Sequence, residues 1–175
     1  MALLEWIQNL PISTSIAESD SLWWGYAWWL FLHAVGMGLT AGLAFIICLR
    51  LLGVGRQIPV SSFRILFRIF WIGFYINLLS GTILFMTDAT GIARVWQLYA
   101  KLLCLALALV AMSRLRRFID SDLSDHVIPP SVRKTAVAYI VLWLAVITSG
   151  RLIAYAVEAA GSKVSAASSR HADSL

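Results

Sequence analysis

Charge is what this chain has least of. Only 13% of its 175 residues are Asp, Glu, Lys or Arg, while 60% are hydrophobic, against about 25% and roughly 45–50% in soluble domains. A soluble fold of this length has too little interior for that apolar excess, so a polytopic membrane protein is expected. Proline is scarce too: four residues, two of them adjacent at Pro129 and Pro130. Both cysteines, Cys48 and Cys104, lie in apolar runs with no CxxC or Cys/His spacing, which argues against a disulfide or a zinc site. The opening MALLEWIQNL contains no Lys or Arg, so no cleavable signal peptide is expected and the first apolar segment stays as an anchor. There is no Ser/His/Asp set, no HExxH, no paired intramembrane carboxylates and no phosphate loop. Soluble-enzyme chemistry is therefore not expected, and whether the chain is an enzyme at all is left open, with the balance against it. The net charge of +5 reads as retained cytoplasmic loops, not as a nucleic-acid surface.

What the chain does have is long apolar segments. Four reach the length of a span, at about 22–49, 65–87, 98–114 and 136–157. Short links force neighbouring helices to run antiparallel, so the expected fold is all-α: an integral-membrane up-down four-helix bundle forming one domain over 1–160. Leu3, Leu4, Trp6, Ile7 and Leu10 suggest a short interfacial helix ended by Pro11. Residues 161–175, rich in Ser and Ala, are expected to be a disordered tail. The links after the first and third segments hold Arg50, Arg56, Arg64, Arg68, Arg114, Arg116, Arg117, Arg133 and Lys134, nine of the 14 basic residues. The positive-inside rule then puts both termini outside, together with Trp6, Trp23, Trp24, Trp96 and Tyr99 as an aromatic belt.

His33 is the residue that stands out. It is the only one of three histidines inside an apolar segment, where an ionisable group is costly and is a functional-site candidate by default. At a rise of about 1.5 Å per residue it lies roughly 4 Å outward of its segment's middle, with Arg151, Cys104 and Lys101 about 7, 3 and 8 Å outward of theirs. Asn77 is near mid-membrane. Helical steps align Tyr26, Trp29, His33, Gly36, Met37 and Thr40, then Gly73, Asn77, Gly81 and Asp88, then Thr148, Arg151, Tyr155 and Glu158. Polar stripes avoid lipid, so these three are expected to converge on a pocket in the outer half. Ala34, Gly38 and Gly42 give the small-xxx-small spacing of a helix contact.

The run WWLFLHAVGMGLTAGLAFIICLRLLG, with NLLSGTILFMTDAT, the Tyr99–Lys101 start of the third segment and GRLIAY, resembles an uncharacterised family of small four-helix bacterial membrane proteins, a domain of unknown function. Cys48 stands where members of that family usually carry an acid. A looser likeness runs to four-helix membrane cytochromes b and to copper-resistance membrane proteins. The resemblance implies a bacterial inner (cytoplasmic) membrane protein, which with the charge count makes both termini periplasmic.

Three functions compete. The first is a redox or membrane subunit holding a b-type haem or a quinone, lined by His33, Gly36, Met37, Asn77, Lys101, Arg151 and Tyr155. His33 would be the axial ligand, of a five-coordinate haem, of one with Met86 as second ligand, or of one shared between chains; Gly36 and Gly38 would leave room for a macrocycle, and Lys101 and Arg151 would meet its propionates. The second is copper handling through His33, Met37, Met86 and Cys104, soft ligands suited to Cu(I). The third is a structural subunit or a binder of an anionic lipid or small molecule. The partners expected are the lipid bilayer, a second copy of the chain, or a periplasmic or membrane redox partner, and not nucleic acid.

Overall fold

The computed structural model describes residues 1–121 and 128–172. The described residues form helices joined by short links, without a strand, and four helices are long and apolar enough to cross a membrane. They are span one (Tyr26–Leu52), span two (Val60–Thr87), span three (Trp96–Ile119) and the membrane part of the last helix, span four (Pro130–Ala159). The chain is thus a multi-pass, all-helical bundle. Trp6, Trp23, Trp24, Trp96 and Tyr99 are all exposed and mark one end, the tryptophan end. The arginine-bearing links mark the other.

Two details of the chain ends differ from the sequence reading. In place of one short N-terminal helix there are two, Ala2–Gln8 and Pro11–Glu18. Pro11 starts the second instead of ending structure, because a first-turn proline has no N–H that the helix would use. The last helix runs on to Ala172, so residues 161–172, expected as a disordered tail, are helical. No proline follows Pro130, and alanine is the best helix former. Residues 173–175 of that expected tail lie outside the described residues.

The spans pack unequally. Tyr26–Met37 of span one lies on span two, and span three lies on span four, whereas Leu43–Leu52 of span one turns to span four. Midway, Gly38–Gly42 forms a π-helical turn, and the Thr40 hydroxyl donates to Gly36 O at 2.7 Å. One extra residue in a turn rotates the following helix face by about 100°, which lets one span serve two partners. The two helix pairs interlock at the arginine end and spread apart at the tryptophan end. The buried apolar core follows suit: Ile47, Leu51, Phe67, Phe70, Leu115 and Trp143 all lie in the arginine half.

At the spread end, span one is held to span two by backbone contact. A Cβ on Gly36 would lie 2.6 Å from Asn77 N and 2.8 Å from Gly73 O, and one on Gly73 would lie 2.5 Å from Leu39 Cβ. No side chain fits between the helices there. The anticipated Gly38 and Gly42 contact does not form, since nothing lies within 4 Å of a Cβ at either position. At the arginine end, Gly53 takes φ +111° and closes span one with Val54 N donating to Leu49 O at 3.0 Å. Arg64 donates to Ile119 O at 3.3 Å, and Asp120 meets Arg64 at 3.8 Å and Arg116 at 3.5 Å. These pairs are half exposed and contribute about 0–1 kcal/mol each.

Two substitutions read this packing directly. Gly36→Ala drives a methyl into span-two backbone and is expected to cost about 1–3 kcal/mol, whereas Gly42→Ala meets open space and is expected to leave stability unchanged or raise it. Melting temperatures in detergent decide this; equal losses in both variants would show that the helices do not meet at Gly36. In the core, the Tyr139 hydroxyl and the Trp143 indole nitrogen approach each other, yet neither forms a hydrogen bond of standard geometry. Removing an unpaired buried hydroxyl costs nothing, so Tyr139→Phe is expected to keep or raise the melting temperature; a loss above about 1 kcal/mol would reveal a bond to that hydroxyl.

Candidate functional site

His33 sits on the face of span one that meets span two. Its Nδ1 lies 3.1 Å from Asn77 O and 3.2 Å from Ser80 Oγ. The Asn77 amide answers by donating Nδ2–H to His33 O at 2.8 Å. The Ser80 hydroxyl proton is committed, since Ser80 Oγ donates to Ile76 O at 2.6 Å. Nδ1 therefore faces two acceptors and must carry the proton, leaving the Nε2 lone pair free in the neutral ring. Among the described residues Nε2 has no partner. Gly81 makes space for the ring: a Cβ there would stand 2.9 Å from Cε1.

Lys101, on the second turn of span three, is half-buried and makes no hydrogen bond or ion pair among the described residues. Gly150 on span four lies alongside it, where a Cβ would stand 3.7 Å from Nζ, an ordinary van der Waals contact. His33 and Lys101 line the same two cavities. The first, of about 290 Å³, lies between spans two and three under Phe74, Asn77, Leu78, Thr82, Leu102 and Leu105. Along Leu66–Thr87 span two scarcely touches span three, and Leu78, Thr82 and Leu102 are exposed. This cavity is therefore a slot open sideways to the bilayer. The second, of about 470 Å³, lies among all four spans and rises to Asp88 and Glu158 at the tryptophan end. His33, Gly81, Phe85, Leu98 and Lys101 line both.

Of the residues expected to hold a cofactor or metal, His33, Asn77 and Lys101 come together here, and from the polar stripes Tyr26, Gly81, Asp88 and Glu158 also line the cavities. The other expected cofactor and metal residues do not. Gly36 is buried against span-two backbone, so the space it was expected to leave for a macrocycle is filled. Met37 and Cys104 pack on the apolar core, and neither they nor Met86 line either cavity. Arg151 and Tyr155 are exposed and line neither, with Arg151 in no ion pair among the described residues. Their stripe points away from the bundle: Thr148, Arg151 and Tyr155 are all exposed, and only Glu158 borders a cavity. Arg151 is near enough to the span's end to extend its guanidinium toward the interface, so lipid avoidance did not force it inward. Among the described residues no group of three or more His, Cys, Asp or Glu side chains is placed to hold a metal ion.

Phe85 and Leu98, which wall both cavities, were not anticipated, because apolar residues in a span carry no signal of which face they take. Gly150 was quoted only as part of a motif. No family model, no curated protein and no solved structure matches the chain.

The imidazole geometry makes a direct expectation. Nitrogen-15 NMR of histidine-labelled protein at neutral pH is expected to show His33 as the Nδ1–H tautomer. Asn77→Leu, which removes the amide's hydrogen bond to His33 O, is expected to cost about 0.5–1.5 kcal/mol. An Nε2–H tautomer in the unmutated protein would overturn the arrangement.

Proposed function

We propose that this chain is a multi-pass protein of the bacterial inner membrane that binds a quinone-class redox cofactor between His33 and Lys101, with both termini in the periplasm. The family resemblance and the nine basic residues at the arginine end support the membrane and the orientation. One observation carries the ligand: an ammonium and an imidazole nitrogen, both unpartnered, stand at the inner edge of an apolar slot open to the bilayer. Unpaired polar groups at that depth are costly, and a lipid-soluble molecule bearing oxygen acceptors offsets the cost. Such a molecule reaches the slot from the bilayer between spans two and three.

A quinone supplies reversible two-electron, two-proton chemistry. Lys101 provides the donor and the positive charge that hold an oxygen acceptor. The free Nε2 of His33 is placed to take a hydroxyl proton, with the ring fixed by Asn77 O and Ser80 Oγ. The larger cavity gives that proton a way to the tryptophan end past Asp88 and Glu158. A membrane or periplasmic redox partner would exchange the electrons.

A b-type haem is the second reading, favoured by one feature. Anchoring of Nδ1 on a carbonyl leaves Nε2 as a ligand, the usual arrangement of a metal-bound histidine. Against it, neither Met86 nor, among the described residues, a second histidine stands at the cavities, and Gly36 offers no space. Copper is supported least, since Met37 and Cys104 belong to the core.

Titration of the purified protein with a short-tailed ubiquinone analogue, followed by tryptophan fluorescence, tests the proposal. Saturable binding is expected, weakened about tenfold or more in Lys101→Met, the loss of one hydrogen bond to a charged group. A Soret band that disappears in His33→Ala would replace the quinone by haem. No saturation and no Soret band would leave a structural or lipid-binding subunit.

A further inference from the structure

We infer that the arginine end carries a second, separate site, a groove for the headgroup of an anionic phospholipid. It is a cavity of about 240 Å³ between spans two and three, distinct in its lining from the His33 slot. Its walls change character along the membrane normal. Arg116, Arg117 and Ser113 stand at one end, and Phe67, Trp71 and Leu109 continue it toward the hydrocarbon. That order, cation and hydroxyl first and apolar surface behind, matches a phosphate ester followed by acyl chain.

The charge balance selects the anionic class. Among the described residues Asp120 is the one carboxylate in the lining, and it is shared by Arg64 at 3.8 Å and Arg116 at 3.5 Å. Arg116 also lies over the Phe67 ring, 5.9 Å from its centroid, which fixes its guanidinium at the groove wall. Arg117 has no ion pair or hydrogen bond among the described residues. The groove thus keeps an unspent guanidinium, and guanidinium with hydroxyl is the donor set that recognises phosphate. Basic pockets between spans, at the end rich in arginine, bind anionic headgroups for this reason. A zwitterionic headgroup would bring an ammonium into a cluster already net positive. A free phosphate would satisfy Arg117 and leave Trp71 and Leu109 without a partner, so the lipid is the occupant the whole lining fits.

The test uses the full chain in nanodiscs of phosphatidylcholine alone or with phosphatidylglycerol, and the protein in detergent with inorganic phosphate. Phosphatidylglycerol is expected to raise the melting temperature by about 3 °C or more, and inorganic phosphate is expected to do nothing. Arg117→Gln is expected to remove most of that rise while melting normally in phosphatidylcholine. Arg133→Gln, which changes a basic residue of the arginine end that is not in the groove, is expected to keep it. Equal losses in the two variants would reduce the effect to general surface attraction and overturn the site. An equal shift from inorganic phosphate would also overturn it, by reducing it to an anion site. Should Arg117→Gln fail to fold, native mass spectrometry of the unmutated protein decides: retention of phosphatidylglycerol over phosphatidylcholine supports the groove, and equal retention refutes it. Neither readout depends on what the His33 slot binds.

Discussion

The contact between Gly36 and Gly73 is the constraint on which the functional half of the molecule depends. With no side chain between them, the backbones of spans one and two approach so closely that a methyl at either position would collide. That approach brings His33, one turn from Gly36, within hydrogen-bonding distance of backbone and side chain around Asn77. In lipid there is no hydrophobic force between helices, so close van der Waals packing and interhelical hydrogen bonds supply the adhesion. At this crossing both act over the same two turns. The histidine is positioned by the same surface that holds the helices together.

Packing elsewhere is distributed so that this crossing stands nearly alone in its half of the bundle. The large buried side chains, Trp143, Tyr139, Phe70 and Leu115 among them, fill the arginine half. From mid-span toward the tryptophan end the buried positions of spans one and two are small: Gly36, Thr40, Ala41, Gly73 and Ser80. A bundle filled with large residues at one end and small ones at the other is rigid at the first and hollow at the second. The π-helical turn at Gly38–Gly42 is the joint between the two regimes, since span one changes partner there. Cavities of a few hundred Å³ follow from this residue distribution, which gives the space a structural cause other than loose packing.

The fold was legible in the sequence because hydropathy over some twenty residues is a long-range signal that tertiary context seldom overrides. Depth was legible for the same reason: His33, Asn77 and Lys101 were expected between mid-membrane and about 8 Å outward, and all three line the first cavity. Facing was not. Lys101 and Arg151 carry the same charge at similar depth, yet one turns into the cavities and the other out. Both side chains are long enough to reach polar surroundings by either route, and the choice depends on which helix face each occupies against its neighbours, which a single sequence does not flag. The glycine pattern misled in a related way. Ala34, Gly38 and Gly42 show the familiar spacing, but the wide turn rotates that face away and gives the contact to Gly36. Met37 and Cys104 looked like ligands by type and serve as core by position.

Two kinds of unpartnered polar group remain, and their surroundings separate them. The Tyr139 hydroxyl and the Trp143 nitrogen are sealed in the core beside Cys48. A thiol is a weak acceptor, and the cost of the two unpaired groups is carried by packing. Lys101 and the Nε2 of His33 differ because each has a cavity in front of it, and at His33 a glycine, Gly81, makes the space for the ring. A sealed orphan has nothing that can reach it. An orphan facing an opening to the bilayer does, and Gly81 at the histidine's seat is hard to explain by stability alone, since a glycine costs about 1 kcal/mol against alanine in a helix. The shared opening and that expense are the physical reasons to treat the His33 and Lys101 pair as a site.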